Sequence, residues 1–190
     1  FYQPSGGQVI LDGEDITGLP SHRIAQKGLT RTFQNIRLFR DMTVLENLLI
    51  ARHNHLDTRY WSGILRTRRY RDSERLAKEH AAKWLDTFEL RAFANHEAGS
   101  LAYGQQRRLE IARCMMTAPR VLILDEPAAG LNPQETAALV TLIETLRDAH
   151  GISVLLIEHD MSLIMRVSEH IMVMEYGRPI AYGSPDDIRN

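Results

Sequence analysis

The sequence contains a single cysteine, Cys114, so no disulfide can form within the chain. A lone thiol suits a protein of a reducing compartment such as the cytosol. No apolar run approaches the roughly 20 residues that a transmembrane helix needs, so the chain can reach a membrane only through partners. The formal net charge of −1 and the sequence pI of about 6.8 exclude the strongly basic surface that is typical of nucleic-acid-binding domains.

Positive charge is concentrated in one short segment, Leu65–Leu76. Its arginines are Arg66, Arg68, Arg69, Arg71 and Arg75. We favour the interpretation that they form the solvated face of a helix. The alternative is a contact with loops of a membrane protein or with anionic lipid headgroups.

What the chain does contain is an apolar strand pattern that ends in two acids. Val121–Leu124 are all apolar and lie between Pro119 and Pro127, which predicts a strand buried on both faces, as in a parallel sheet. Asp125 and Glu126 follow at its carboxyl end, where open α/β sheets bind ligands. One acid can hold Mg²⁺ while the next acts as a base toward an attacking water. The alternative is that both acids only cap the following helix.

Two further strand patterns end in polar residues. The apolar run Leu155–Ile157 is followed by Glu158, His159 and Asp160, with His159 at the tip. An ordinary surface histidine is the alternative interpretation. Gln34 follows the strand pattern Leu29–Phe33 in the same way.

A phosphate-binding helix start is the third local feature. Ser100 and Gly104 place small residues at the amino end of a helix, where backbone N–H groups and the helix dipole favour a phosphate. Leu109 and Met115 belong to the apolar stripe of this helix.

These pieces together resemble the nucleotide-binding subunit of an ABC transporter, over essentially the whole chain. They occur in the order Gln34, Leu101–Arg108, Leu122–Pro127, Ala129–Pro133 and Ile157–Asp160. Five pieces in the right order and spacing carry the resemblance, and none of them is decisive alone.

The resemblance implies a role for each matching residue. Asp125 is similar to the Walker B metal ligand and Glu126 to the general base, while His159 is similar to the switch histidine on the γ-phosphate. Gln34 matches the glutamine-loop residue, which senses Mg²⁺ and contacts the membrane subunits. The segment similar to the D-loop ends at Asn132. The residues similar to the signature motif, which contacts ATP, are Leu101, Ala102, Tyr103, Gly104 and Gln105.

The sequence departs from the family pattern at two places. The signature usually reads Leu-Ser-Gly-Gly-Gln, but Ala102 and Tyr103 replace its serine and first glycine. Loss of the hydroxyl removes one hydrogen bond to the γ-phosphate, worth ~1 kcal/mol. Asn132 stands where the D-loop usually has an aspartate. The signature region is most similar to that of the ATPases of branched-chain amino acid importers, specifically the larger of their two ATPase subunits.

The resemblance also implies cofactors, partners and location. ATP and Mg²⁺ are the expected cofactors. The expected partners are transmembrane permease subunits, a second ABC ATPase subunit in a head-to-tail dimer and, indirectly, an extracytoplasmic substrate-binding protein; no nucleic acid is expected. The protein would lie at the cytoplasmic face of the inner membrane, held there by its partners.

One motif of the family is absent from the sequence. No segment has the form Gly-x-x-x-x-Gly-Lys-Ser/Thr, the P-loop that cradles the phosphates of ATP. In the family this loop lies just before a segment similar to Phe1–Gly7. We therefore expect a fragment that lacks amino-terminal strands and the P-loop. By itself it is expected to be inactive.

The expected fold is α/β, a P-loop NTPase-like core with a mainly parallel sheet, a helical subdomain and a small antiparallel β subdomain. A single domain over 1–190 divides into 1–42 with the antiparallel part and glutamine loop, 43–100 with the helical subdomain, and 101–190 with the core.

Individual elements follow from local patterns. Asp12-Gly13 predicts a tight hairpin, and Thr43 with Glu46 predicts a capping box that opens a helix. In the helical subdomain the predicted apolar positions are Leu76, Trp84, Leu85 and Phe88. The predicted helices of the core are 104–117, 133–150, 161–167 and one from 184. The predicted strands are 121–125, 153–157 and 170–175 in a parallel sheet, then 179–182 after a turn.

Two other functions remain open at this point. One is a soluble ABC ATPase of DNA repair or translation, although the sequence has neither a long coiled-coil insertion nor a basic face. The other is a docking module without catalysis. Glu126 and His159 argue against it, because docking does not require them.

Overall fold

The computed structural model describes residues 4–51 and 68–189, with side chains in the second range described from residue 72. The helices are α1 (Ser21–Gln26), α2 (Val44–Ala51), α3 (Arg68–Thr87), α4 (Tyr103–Met115), α5 (Pro133–Asp148), α6 (Met161–Val167) and α7 (Pro185–Arg189), with 3₁₀ turns at Arg91–Phe93 and Ala98–Ser100. The strands are β1 (Ile10–Leu11), β2 (Glu14–Asp15), β3 (Leu29–Arg31), β4 (Val121–Asp125), β5 (Ser153–Ile157), β6 (Ile171–Glu175) and β7 (Arg178–Gly183). In the described ranges, none of the helices is long and apolar enough to cross a membrane.

A parallel sheet in the order β3-β4-β5 lies at the centre. Its register pairs Arg31 with Ile123 and Asp125 with Ile157. The predicted α/β fold class is confirmed, and the bounds predicted for β4 and β5 agree with the structure. The carboxyl ends of the three strands meet at one edge of this sheet.

The prediction that β4 is buried on both faces was wrong. Leu122 and Leu124 are fully buried, but Val121, Ile123 and Asp125 alternate with them and are only partly covered. Leu122 and Leu124 belong to the hydrophobic core that also contains residues of α4 and α5. A strand covered well on one face alternates in exposure, because successive side chains point to opposite faces.

Two hairpins carry the antiparallel pairs. Asp12 and Gly13, between β1 and β2, have φ values of 49° and 80°, and Tyr176 and Gly177, between β6 and β7, have 46° and 76°. Positive φ at both central residues is the backbone of a type I′ turn. The Asp12-Gly13 hairpin is therefore confirmed.

The predicted place of the 170–175 strand was wrong. It was expected in the parallel sheet, but β6 pairs antiparallel with β7 in a separate two-stranded sheet. The turn of two residues explains the antiparallel pairing of β6 with β7. A connection this short can join only antiparallel strands, whereas parallel neighbours need a long crossover.

The predicted capping box at the start of α2 is confirmed. The Thr43 N–H and hydroxyl donate to Glu46 Oε2 over 2.8 Å each, and the Glu46 N–H donates to Thr43 Oγ1 over 3.2 Å. The end predicted for this helix, near Asn54, lies outside the described residues.

The apolar face of α3 differs from the predicted one at a single position. Trp84, Leu85 and Phe88 are buried as expected, but Leu76 is 50% exposed. Ala77 and Ala81 take the buried positions one turn apart on the same side as Leu85 and Phe88. Because the helical face repeats at three and four residues, Leu76 falls beside that face and not on it.

The arginine-rich segment is described only in part. Arg75 is 63% exposed and its Nη1 lies 3.0 Å from Glu79 Oε1, one turn along α3. This contact fits a solvated helix face. Arg66 and the side chains of Arg68, Arg69 and Arg71 lie outside the described residues.

Cys114 in α4 is partly buried and packs against the hydrophobic core. Burial raises the pKa of its thiol to about 12. The side chain therefore stays neutral near pH 7, which suits a small residue packed against an apolar core.

Candidate functional site

Glu126, which lies at the centre of the site, has a strained backbone conformation. Its φ is 43°, in the left-handed region, and its N–H donates to the Ile157 carbonyl over 2.8 Å. For a residue other than glycine this conformation costs of order 1–3 kcal/mol and is concentrated at functional sites. The hydrogen bond to the end of β5 holds the carboxylate just beyond the end of β4.

Gln34 and His159 converge on the Glu126 carboxylate. Gln34 Nε2 donates to Glu126 Oε2 over 3.0 Å. His159 Nδ1 lies 4.0 Å from Glu126 Oε1, beyond hydrogen-bond distance. The carboxylate side chain is 32% exposed, so solvent reaches it. Three residues predicted from separate strand ends are thus brought together.

Asp125 forms an ion pair with an arginine side chain that the sequence patterns did not predict. Arg31 Nη2 donates to Asp125 Oδ2 over 2.7 Å, from the neighbouring strand β3. The Asp125 N–H donates to Thr32 Oγ1 over 3.2 Å, and Thr32 is buried. Arg31 was missed because only the register of β3 against β4 places it beside Asp125.

Glu158 is a second residue that the sequence analysis did not assign to the site. Its side chain is 2% exposed, and Oε1 accepts the Ala128 N–H over 2.9 Å. Its other oxygen, Oε2, accepts the His159 N–H over 3.2 Å. The buried carboxylate thus ties the segment after Glu126 to His159. The imidazole of His159 is 79% exposed.

Asp160 fixes the start of α6 just after His159. Its Oδ1 accepts the Ser162 hydroxyl over 2.7 Å and the Ser162 N–H over 2.9 Å. These hydrogen bonds, that of the hydroxyl first, lower the pKa of Asp160 below its ordinary value. The acid is therefore a helix cap and not a group that exchanges protons near neutrality.

The residues similar to the signature motif form the start of α4. The Ala102 N–H donates to Gln105 Oε1 over 3.1 Å, and the Leu101 side chain is buried. A Cβ on Gly104 would lie 2.5 Å from Glu135 Oε1, so a larger residue there would force the Glu135 side chain to move. The structure places this segment beside α5. Its contact with a nucleotide stays a prediction.

The segment similar to the D-loop lies against Tyr103. A Cβ on Gly130 would lie 3.2 Å from the Tyr103 ring. Asn132 Oδ1 accepts the N–H groups of Gln134 and Glu135, each over 3.0 Å. In this structure Asn132 therefore caps α5, and its predicted role toward a nucleotide is a prediction still.

An ion pair buried in α4 was also missed. Arg107 Nη1 donates to Glu110 Oε2 over 2.8 Å, and both side chains are 1% exposed. Arg107 also donates to the carbonyls of Phe33 and Gln34. Its Nε is buried without a hydrogen-bond partner, which costs ~1–3 kcal/mol. The signal available in the sequence was an arginine and an acid, three residues apart, among the apolar residues of a helix.

The side chains at the sheet edge fit a magnesium ion that arrives with a nucleotide. Asp125 offers a carboxylate and Gln34 an amide oxygen, the hard ligands that Mg²⁺ prefers. Mg²⁺ is usually held by one or two carboxylates together with substrate phosphates. In the described ranges, no group of three or more His, Cys, Asp or Glu residues is arranged for a metal.

Comparisons with known proteins agree with the geometry. The ABC transporter family pattern matches residues 1–129. The high-affinity branched-chain amino acid transport ATP-binding protein BraF of Pseudomonas aeruginosa is 60% identical over 100% of this chain and 74% of BraF. LivG of Escherichia coli, a protein of the same description, is 53% identical over 100% of this chain and 74% of LivG.

A solved structure supports the same assignment. The ADP conformation of MJ1267, an ATP-binding cassette of an ABC transporter, is similar with a TM-score of 0.84 and 32% identity, over 100% of this chain and 74% of MJ1267. The resemblance inferred from Gln34, the α4 start, Asp125-Glu126 and His159 is confirmed. The chain belongs to the ABC transporter family, whose members bind ATP.

Proposed function

We propose that the chain is the ATP-hydrolysing subunit of an ABC importer that energises the uptake of branched-chain amino acids. The convergence of Gln34 and His159 on the Glu126 carboxylate, at the carboxyl ends of parallel strands, carries the catalytic part of this proposal. The identities of 60% and 53% to BraF and LivG support the class of transported substrate.

In this proposal Glu126 is the general base. Its Oε2 already accepts a hydrogen bond from Gln34, so Oε1 is the oxygen that takes a proton from the attacking water. His159 Nδ1, 4.0 Å from Oε1, borders the same space and helps to orient that water and the γ-phosphate. The Glu126 side chain is 32% exposed, so an attacking water can reach the carboxylate.

Asp125 and Gln34 are the proposed ligands of Mg²⁺. When bound, ATP with Mg²⁺ supplies the phosphoanhydride bond that is hydrolysed and the charge that neutralises its oxygens. In the structure Arg31 neutralises Asp125 at 2.7 Å. We expect Arg31 to release or share this oxygen when the metal binds. A carboxylate oxygen that coordinates a metal can keep the hydrogen bond from the guanidinium only with poorer hydrogen-bond geometry.

The ATP contacts proposed for Leu101–Gln105 and Asn132 require a second copy or a related subunit. In a head-to-tail dimer the start of α4 in one subunit faces the nucleotide of the other. The exposed ring of Tyr103, 46% accessible, is available for such a contact. Its position beside Gly130 would bring the α4 start and the D-loop segment to the same interface.

A groove beside Gln34 is the proposed contact with a permease subunit. Its volume is about 490 Å³, and its lining residues are Arg37, Leu38, Phe39, Ile50, Ala51 and Arg113. Phe39 is 49% exposed and Ile50 37% exposed, so apolar surface is open between two arginines. A cytoplasmic permease loop with an apolar side chain and an acidic residue would match this groove. This contact would hold the subunit at the cytoplasmic face of the inner membrane, with a substrate-binding protein acting on the outer side.

A transport assay tests the proposed function. The gene is deleted, and the full-length gene product is restored with its partner subunits. Uptake of labelled leucine, isoleucine and valine should be lost on deletion and return on restoration. Unchanged uptake of all three, with loss of a different solute, would refute the substrate class. Recovery of the protein with ribosomes or DNA, and without permease subunits, would refute transport.

Crosslinking tests the permease contact. Cysteine introduced at Arg37 or Arg40 should crosslink to a cytoplasmic permease loop, because both residues lie in the loop that follows Gln34. Cysteine at Glu169, which is 74% exposed in a loop between α6 and β6, serves as the control and should not reach the permease. Crosslinks from Arg37 and Arg40 to the partner ATPase alone would contradict the proposal.

A further inference from the structure

The buried pair in α4 holds the segment that carries Gln34 from both sides. Arg107 Nη1 and Nη2 donate to the carbonyls of Phe33 and Gln34 over 3.1 and 3.0 Å. Three residues later the Arg37 N–H donates to Glu110 Oε1 over 3.2 Å. Gln34 therefore lies between two anchors that both belong to α4.

The guanidinium fits this task better than other side chains would. Its planar fork offers several N–H donors in fixed directions, so one group can meet two consecutive carbonyls and a carboxylate together. Glu110 Oε2 accepts from the same Nη1 that bonds to Phe33. The carboxylate thereby fixes the plane of the guanidinium while its other oxygen binds the loop.

Stability alone does not account for the pair. Arg107 Nε is buried without a partner, and both side chains are 1% exposed. Well-packed apolar side chains of similar volume often replace a buried ion pair at no cost in stability. Apolar side chains could not, however, make the three hydrogen bonds to residues 33–37.

These contacts form a chain of bonds that ends at the proposed base. Tyr103 Oη, in the first turn of α4, lies 3.5 Å from Arg107 Nη2. Nη2 also holds the Gln34 carbonyl, and the side chain of Gln34 donates to Glu126. A displacement of α4 would therefore move the Gln34 amide relative to Glu126.

We propose that Arg107, oriented by Glu110, is a positioning residue that sets the Gln34 amide against Glu126 and makes the position of Gln34 follow α4. This inference rests on the proposed ATPase function for its consequence in turnover. Its geometric part, the placement of Gln34, does not depend on hydrolysis.

A double-mutant cycle tests the proposal on the full-length protein assembled with its partner subunits. Arg107→Met should lower kcat for ATP at least tenfold and change KM less than threefold. In a Gln34→Ala background, the same substitution should lower kcat less than threefold, because the group through which it acts is gone. Equal losses in both backgrounds would overturn the proposal.

A spectroscopic measurement tests the geometric part separately. The Gln34 side-chain amide signals are assigned in the full-length protein from their loss in Gln34→Ala. Arg107→Met should shift them toward the position of a solvated glutamine, while Arg108→Met, which removes an exposed pair with Glu89, should not. Unchanged Gln34 signals in Arg107→Met would overturn the proposal whether or not the protein hydrolyses ATP.

Folding is controlled with two further variants. Arg107→Met with Glu110→Leu removes both charges and should retain the thermal transition while it shifts the Gln34 signals. If that variant does not fold, Arg107→Lys replaces it, since lysine keeps the charge but cannot hold two carbonyls and a carboxylate in one plane. Lysine should restore folding and leave the Gln34 signals displaced. Full recovery of the wild-type signals and kcat by lysine would show that charge alone suffices and would refute the positioning role.

Discussion

Two carboxylate-bearing pairs, Asp125 with Glu126 and Arg107 with Glu110, differ in exposure and in the elements that hold them. Asp125 and Glu126 stand at the end of a strand, with side chains 19% and 32% exposed. Arg107 and Glu110 lie within a helix and are 1% exposed. The strand-end pair is open to a nucleotide and to water, while the helix pair bonds to backbone and excludes both. The group proposed to react and the groups proposed to position it thus have opposite surroundings, because a carboxylate that takes a proton from an incoming water must be accessible to that water.

The largest effect should come from the strand-end pair. Glu126→Gln keeps the shape and the hydrogen bond to Gln34 but cannot accept a proton, so ATP turnover should fall by ~10²–10⁴. Turnover of the full-length protein with its partners is the measurement, and the thermal transition should be unchanged. Glu169→Gln, at an exposed site, is the matched control and should keep wild-type turnover. A loss below tenfold with ATP still bound would remove Glu126 from the role of base.

His159→Ala should have the next largest effect. The imidazole is 79% exposed and does not hold the fold, so only its proposed hydrogen bond to the reacting phosphate is lost. A bond to a charged group is worth about 1.5–3 kcal/mol, which corresponds to a fall in kcat of about 10- to 10²-fold. Nucleotide affinity, measured by calorimetry, should change far less. The reverse pattern, with affinity lost and saturated turnover retained, would make His159 a ground-state binding residue.

The smallest effect should be a dependence of stability on pH at the helix pair. Burial raises the pKa of Glu110 above its ordinary value of 4.5, although Arg107 opposes the shift. The folded state then holds this proton more tightly than the unfolded state. Its contribution to the free energy of unfolding is therefore largest at low pH and declines as pH rises from 4.5 through the raised pKa.

Chemical denaturation across this range measures the slope. The slope should flatten in Glu110→Gln. Asp187 provides a control of opposite sign, because hydrogen bonds from Ser184 lower its pKa below 3.8. Its contribution is present above that pH and is lost as pH falls. An unchanged slope in Glu110→Gln would show that burial does not control this carboxyl.

Local patterns predicted the elements that depend on neighbours in sequence. The Asp12-Gly13 turn, the Thr43 capping box and the bounds of β4 all depend on residues a few positions apart, and all agree with the structure. The polar residues at strand ends were found because the carboxyl edge of a parallel sheet is a general ligand site.

The same local patterns could not predict contacts between residues that lie far apart in the sequence. Arg31 meets Asp125 across 94 positions, and Arg107 meets Phe33 across 74. Both contacts depend on the register of β3 and on the face that α4 turns to the loop, which no local period specifies. Leu76 was misplaced for a related reason, since small alanines can occupy a core face that hydrophobicity alone assigns to leucine.

The left-handed backbone of Glu126 has a consequence for protein engineering. Residues that tolerate positive φ, such as glycine or asparagine, would relieve the strain at this position. A screen that ranked variants by heat resistance alone would therefore enrich replacements of the residue that is proposed to accept the proton. At this residue, selection for stability and selection for catalytic activity would therefore favour different side chains.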